Sequence, residues 1–324
     1  MKNVLVTGCT GFIGGALVSL LARRGDLCVT ACVRKEANLW DASIKQVVCP
    51  DIGQKTGWQW ALRNVTHVIH LAGVATEPAR ETGIGSIYQR VNVEGTLNLA
   101  RQATAAGIKR FVFISSIKVN GEWTVVGQPF THDQKLTPQD AYGVSKYEAE
   151  KGLARLANET GMEVTVIRPP LVYGPGVKAN FRSMMAWINK GYPLPLGAIH
   201  NQRSLVALGN LVDLIVTCID HPAAANEIFL VSDGEDLSTT ELLHRMGQAL
   251  GKPARLLPVP AWFIEIGATV LGKKAIAQRL CGNLQVDISH TCNTLGWTPP
   301  LNVDEALKQT AEAYLASVSK EVKG

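Results

Sequence analysis

The sequence predicts an α/β fold: a Rossmann-type, doubly wound parallel sheet followed by a smaller mixed α/β C-terminal lobe. Three observations predict it. Short apolar runs alternate with helical patterns through the first 170 residues, the order that lays helices over a parallel sheet. The first run, Val4-Leu5-Val6, leads straight into Gly8, Gly11 and Gly14 and then into an apolar helical pattern, Ala16, Leu17, Leu20 and Leu21. Beyond residue 170 the alternation loosens, and Gly and Pro punctuate YGPG at 173–176 and GYPLPLG at 191–197.

Each element follows in turn. Residues 4–6 read as a buried strand. Gly8 then turns the chain sharply, Gly11 removes a side chain where backbone must near a pyrophosphate, and Gly14 lets the helix pack on the strand. Backbone N–H groups at the helix start face the phosphates. Thr10, Phe12 and Ile13 complete the cofactor contacts expected of this loop. Arg23, Arg24 and Gly25 suit the helix end. The second strand covers 27–33, and Arg34 and Lys35 follow at once. A carboxylate near that strand end would accept hydrogen bonds from the adenosine ribose of NAD, whereas a guanidinium suits a 2′-phosphate. NADP(H) is therefore favoured, with NAD as the alternative.

A third strand at 45–49 is followed by Asp51 and Ile52, expected at the cofactor. A fourth at 67–71 leads into Leu71, Ala72 and Gly73, whose small residues permit close approach to ribose and phosphate. His70, inside that apolar strand, reads as a packed core histidine. Residues 86–106 are helical and contain Asn92. The fifth strand, 110–116, ends in Ser115 and Ser116, where ligands bind in open parallel sheets. Residues 141–160 are helical, 163–168 form the sixth strand, and Pro169-Pro170 stop it. Later, 203–220 reads as strand or loop then helix, 228–233 as a strand, and 237–251 as a helix capped by Ser238 or Thr239. Asn302 or Asp304 opens a final amphipathic helix. The expected division is a dinucleotide-binding domain over 1–170 and a substrate-binding lobe over 171–324, with part of 203–233 returning to the first.

Composition narrows the classes. With 324 residues, 46% of them hydrophobic, the chain can bury a large core in two lobes. A net charge of +5 with no concentrated basic run argues against nucleic acid and leaves room for an anion-binding cleft. Cys9, Cys28, Cys32, Cys49, Cys218, Cys281 and Cys292 show neither C-x-x-C nor zinc spacing. They read as reduced thiols used as small apolar residues in a cytoplasmic protein without a metal site. The first apolar run is short and cut by glycines, so no signal peptide is expected there. The apolar stretch AWFIEIGATVLG at 261–272 is too short to span a bilayer and carries Glu265. It is expected as a core or lobe-packing helix, with a surface-lying amphipathic helix as the alternative, so no integral membrane segment is expected.

Ser116, Tyr142 and Lys146 carry the expected chemistry. Tyr142 and Lys146 stand four positions apart and share one helix face. A phenol is a weak acid near neutrality, with a reference pKa of about 10. A nearby ammonium and an oxidised nicotinamide favour the phenolate. Tyr142 can then exchange a proton with a sugar oxygen while the cofactor exchanges a hydride with the attached carbon. Ser116 would fix the same oxygen, and Lys146 would also hold the nicotinamide ribose.

The motifs TGCTGFIGG, HVIHLAG, VNVEGT, FVFISSIKVNGE, YGVSK, IRPPLVYGPG, NQRSLVALGNLVDLI and LGWTPP occur in that order over essentially the whole chain. In this it resembles the extended short-chain dehydrogenase/reductases, the superfamily of NAD-dependent epimerases and dehydratases of nucleotide sugars. The resemblance implies Ser116, Tyr142 and Lys146 in the roles above, Asn92 supporting the active-site region and Pro169 near the nicotinamide amide. It also implies Asn180 and Arg203 on the diphosphate or sugar of a UDP-sugar substrate, and a homodimer through helices near 86–106 and 142–160. A diphosphate calls for a planar bidentate donor, which Arg203 supplies.

The run Ser116-Ile117-Lys118-Val119-Asn120-Gly121 departs from the common pattern, and Lys118 is expected either to face substrate or to be a solvated loop lysine. This version is similar to reductases and epimerases of bacterial surface-polysaccharide pathways. In particular it resembles enzymes acting on UDP-linked 4-keto-6-deoxy-N-acetylhexosamines, so the favoured activity is 4-keto reduction of such a sugar, to which Arg34 and Lys35, as residues suited to NADPH, add support. The alternatives are a UDP-hexose or UDP-N-acetylhexosamine 4-epimerase with retained NAD, and a non-catalytic NADP-binding regulator. A dehydratase is disfavoured, because Ile117 and Lys118 stand where that class places a carboxylate pair.

Overall fold

The computed structural model describes residues 2–36, 39–40, 44–75, 87–272 and 274–321. Its strands in chain order are β1 (Lys2–Thr7), β2 (Leu27–Val33), β3 (Lys45–Val48), β4 (His67–His70), β5 (Arg110–Ile114), β6 (Glu163–Arg168), β7 (Leu171–Tyr173), β8 (Arg203–Ala207), β9 (Ile228–Leu230) and β10 (Asp236–Leu237). Seven form one parallel sheet in the order β3-β2-β1-β4-β5-β6-β9. The strand order reverses between β1 and β4, which opens a crevice at their C-terminal ends. A second sheet, β10-β8-β7, lies in the C-terminal lobe.

The strand residues are apolar on both faces because both faces are covered. One face packs Val4, Val6, Val29 and Ile69 against Leu17, Val18 and Leu21 of α1 (Phe12–Leu21). The other packs Leu5, Val68, Phe111 and Phe113 against Leu99 and Ala103 of α2 (Thr96–Ala105) and Ala149 and Leu153 of α3 (Ala141–Thr160). A third core fills the lobe, where Phe181, Met185 and Ile188 of α4 (Ala179–Asn189) meet Leu242, Leu243 and Met246. Helix α5 (Leu208–Asp220) returns to the first core, and Leu211, Leu214 and Ile215 pack with the α1 residues. Arg110, 5% exposed, closes that return: its Nη1 donates to the carbonyls of Cys218, Ile219 and His221 at 3.0, 3.2 and 2.8 Å. The Ser238 hydroxyl caps α6 (Thr239–Ala249) by accepting from the Glu241 N–H at 3.0 Å. The lobe continues through α7 (Ala261–Val270), α8 (Lys274–Cys281), α9 (Ser289–Leu295) and α10 (Val303–Glu321). Asn302 opens α10 by accepting from the Glu305 N–H at 2.9 Å.

Three elements differ from expectation. The helical stretch predicted at 86–106 is π-helical over Tyr88–Gly95 before it becomes α2, and residue 86 lies outside the described residues. Gly95 fits there because a Cβ would come within 2.8 Å of Ile52 Cγ2. The strand β7 falls on Leu171–Tyr173, where the Pro-Pro and Tyr-Gly-Pro-Gly flanks read as irregular chain. Helix α7, expected as a core or lobe-packing helix, packs only Ala261 and Ile264 against the lobe core and has no fully buried residue.

Candidate active site

The site is built where β1, β4, β5 and α3 converge. Gly8 leaves β1 with φ +69°, and a Cβ there would lie 2.6 Å from the Ala72 nitrogen. A Cβ on Gly14 would lie 2.2 Å from the Gly8 carbonyl oxygen, so the first turn of α1 can sit against the loop only as glycine. The result is a cleft of about 300 Å³ lined by Gly8, Gly11, Phe12, Ile13, Gly14, Leu71 and Gly73 on one side. Ser116, Tyr142, Lys146 and Pro169 line the other. Glycines, exposed backbone donors and a helix start around a slot of this kind fit a dinucleotide pyrophosphate. A larger hollow of about 550 Å³ lies beside Asp51, Trp60 and Arg90 and contains none of the serine, tyrosine and lysine set.

Ser115 and Ser116 follow β5 and diverge. Ser115 is buried and its hydroxyl donates to Glu150 Oε1. Ser116 starts a short 3₁₀ turn, Ile117–Val119, accepts from the Lys118 N–H at 3.3 Å, and lines the same cleft as Tyr142. Asp140 sets the start of α3 by accepting from the Gly143 N–H at 2.6 Å. Helical periodicity then puts Tyr142, Lys146 and Glu150 on one face. Tyr142 packs its ring against Tyr88 at 6.1 Å between centroids. Burial pushes its phenol up to about 12, and the neighbouring Ser116 opposes this in part. Lys146, 3% exposed, donates to the Ile114 carbonyl at 2.9 Å and lies 4.5 Å over the Phe113 ring. Burial lowers its ammonium to about 8, against the pull of Glu150. In the protein alone, desolvation thus outweighs the phenolate-favouring effect expected of a neighbouring cation.

Asn92 is fully buried and clamps the site from behind. Its side chain accepts from the Val74 N–H at 2.8 Å and donates to the Val74 carbonyl and Ser145 hydroxyl, both at 3.0 Å. It therefore ties the loop after β4 to α3. His70 is a core residue, hydrogen-bonded to Thr7 Oγ1 at 2.7 Å and Thr96 Oγ1 at 2.9 Å. The Pro169 carbonyl accepts from the Ile117 N–H at 3.0 Å and pins the serine turn. Thr10 is exposed on the glycine loop, and Ile52 packs under Gly95.

Other expected site residues stand farther out. Arg34 and Lys35 are exposed past the end of β2. Asp51 pairs with Arg90 at 3.3 Å. Lys118 is held by Asp140 and Glu122 rather than extended into the cleft. Asn180 is exposed in the first turn of α4. Arg203 opens β8, where its Nη1 donates to the Gly282 carbonyl at 3.0 Å and burial together with Arg279 lowers its pKa. Lys118, Asn180 and Arg203 are not among the residues lining the cleft. Sequence reasoning missed Glu150, Arg168, Asn120 and Ser145. The spacing of Glu150, four positions after Lys146, is the one signal that pointed to it.

The fold and this site define a dinucleotide-binding oxidoreductase of the extended short-chain dehydrogenase/reductase type. The model of the NAD dependent epimerase/dehydratase family matches residues 4–232, and the chain belongs to that family. It is 52% identical to a UDP-glucose 4-epimerase of Vibrio cholerae, over 97% of this chain and 96% of that protein. It is 26% identical to an N-acetyl-alpha-D-glucosaminyl-diphospho-ditrans,octacis-undecaprenol 4-epimerase of Escherichia coli O157:H7, over 98% of this chain and 97% of that protein. Its fold matches a UDP-glucuronic acid 4-epimerase from Bacillus cereus, solved with NAD, at a TM-score of 0.78 and 18% identity, covering 97% of this chain and 99% of that one. A Thermotoga maritima UDP-glucose 4-epimerase matches at 0.76 and 22% identity, covering 98% and 100%.

Proposed function

We propose that the chain interconverts alcohol and ketone at C4 of a UDP-linked hexose, as a 4-epimerase with retained NAD. The observation that carries this reading is that Ser116, Tyr142 and buried Lys146 line the glycine-walled cleft together, with Lys146 one helical turn from Tyr142. The 52% identity to the Vibrio cholerae 4-epimerase supports the choice of reaction. The loop from Gly8 to Gly14 would hold the pyrophosphate, Asp51 and Ile52 the adenosine end, and Leu71, Ala72, Gly73 and Pro169 the nicotinamide end. Bound there, the nicotinamide supplies and accepts a hydride at the sugar carbon. Tyr142 takes the C4 hydroxyl proton on oxidation and returns it on reduction from the other face. Ser116 holds the C4 oxygen in reach of the phenol. Lys146 binds ribose hydroxyls and stabilises the phenolate when Tyr142 gives up its proton. Arg203 and Asn180, on the 171–324 lobe, would meet the diphosphate and sugar. Lys118 would act through Asp140 at the start of α3. Helices α2 and α3, which pack side by side and leave Val144 exposed, would form a homodimer face.

A second reading, 4-keto reduction of a UDP-4-keto-6-deoxy-N-acetylhexosamine with NADPH, is favoured by Arg34 and Lys35 past β2. One experiment separates the two. The purified protein is given UDP-glucose or UDP-N-acetylglucosamine, then a UDP-4-keto-6-deoxy sugar, with NAD or NADPH. Interconversion of C4 epimers without net change in cofactor absorbance is expected. Stoichiometric NADPH oxidation with the ketosugar alone would replace the first reading by the second. No turnover in any arm would overturn both.

A further inference from the structure

Helix α7 is apolar on two sides and packs only one of them. Ala261 and Ile264 turn inward and pack against the lobe core. Trp262, Phe263, Ile266 and Val270 are 61%, 60%, 57% and 81% exposed. At 100° per residue these four occupy one stripe about 100° wide. Leu271 after its end and Ile276 on α8 are further exposed apolar residues of this segment, 71% and 50% exposed. Large exposed apolar side chains are normal singly, but a contiguous patch marks a surface that is covered in use.

The net charge of the segment that carries the patch selects what covers it. Residues 251–281 contain Lys252, Arg255, Lys273, Lys274 and Arg279 against Glu265 alone. This segment thus holds a net +4 of the chain's net +5. A second copy docking through the same segment would bring like net charges together. An anionic lipid surface complements them and accepts the apolar stripe as well. Ten residues of helix reach only about 15 Å, half a hydrocarbon core, so α7 can lie in the interface but not cross it. No helix among the described residues is long and apolar enough to span a membrane. An indole at the start of the stripe is the side chain that favours the headgroup level.

We propose that α7 and α8 dock the protein on an anionic bilayer, with Trp262, Phe263, Ile266 and Val270 inserted at the headgroup boundary. The Gly282 carbonyl that follows α8 accepts from Arg203, so the docked surface adjoins the proposed diphosphate arginine. Docking itself does not depend on which sugar the site takes.

The test is co-sedimentation of the full chain with phosphatidylglycerol-rich vesicles, with pure phosphatidylcholine vesicles and without vesicles, at low and high salt. Binding to the anionic vesicles, weakened by salt, is expected. A Trp262→Ser/Phe263→Ser variant should partition about tenfold less, and its turnover in solution should match the parent protein, which shows that it is folded. Equal binding by variant and parent, or no binding to anionic vesicles at low salt, would overturn the proposal. So would a concentration-dependent dimer, seen by sedimentation velocity, that this double substitution dissolves, because the occupant would then be a second copy.

Discussion

Arg168 donates to both carboxylate oxygens of Glu150, through Nε at 3.0 Å and Nη2 at 2.6 Å, with the two side chains 1% and 5% exposed. Ser115 donates to the same carboxylate, and Arg168 Nη1 donates to Asn120 Oδ1 at 3.1 Å. The end of β5, the end of β6 and the middle of α3 are thereby bolted together directly beneath Lys146. Removing one partner leaves the other charge buried and unpaired. Glu150→Ala should cost about 3–5 kcal/mol, and pairing it with Arg168→Met should recover part of that loss. Urea unfolding of the single and double variants measures both.

The phenol is the proton-transfer group of the proposed mechanism. Tyr142→Phe removes the hydroxyl while keeping the ring against Tyr88. Turnover should fall about 10²–10⁴-fold. Nucleotide binding, followed by fluorescence titration, should remain near the parent value. Near-parent turnover would take Tyr142 out of the chemistry.

His70 gives the protein an acid-side weakness. Burial holds its imidazole at about 3, below the ordinary value of 6.5. Between those two values the unfolded chain binds a proton that the folded chain does not. Stability therefore falls as pH drops from about 6.5 toward 3, by about 1.4 kcal/mol per pH unit from this group. His70→Gln should flatten that slope, read as the urea midpoint at several pH values between neutrality and moderate acid. An unchanged slope would place the acid sensitivity elsewhere.

The glycine loop has no slack. With a Gly14 Cβ lying 2.2 Å from the Gly8 carbonyl oxygen, Gly14→Ala must push α1 off β1. Overpacking of this kind costs about 1–3 kcal/mol, and dinucleotide affinity should drop with it. Gly25→Ala serves as the control, since no atom lies within 4 Å of a Cβ there. Calorimetric binding and thermal unfolding of the two variants should differ clearly.

Arg34 decides between the two cofactors if its guanidinium meets a 2′-phosphate. Arg34→Ala should then weaken NADP binding about tenfold or more while leaving NAD little changed, because only NADP carries the added charge. Equal losses for the two would remove the basis of the reductase reading.

Much of this was legible in the chain because periodicity and glycine spacing report local geometry. Residues 27–33, 163–168 and 141–160 were bounded as the structure has them. The family was legible through motifs in a fixed order. The Glu150–Arg168 bolt was not, because Arg168 sits inside an apolar strand and only tertiary contact reveals its partner. The π-helical turn was hidden for a related reason: its Gly95 lies against Ile52, 43 positions away, and that contact is not local in the sequence. The half-exposed α7 defeated hydropathy, which reports apolar character but not which side faces protein.

The return of the chain through α5 and β9 has a consequence for how such a protein can change. The sheet's outer strand, Ile228–Leu230, and the helix that satisfies Arg110 both come from beyond the lobe's first strands. A fragment cut at residue 170 would lack that edge and leave Arg110 without its three carbonyls. The two halves are therefore interlaced rather than modular, and new specificities must arise by editing loops in place instead of exchanging a cassette.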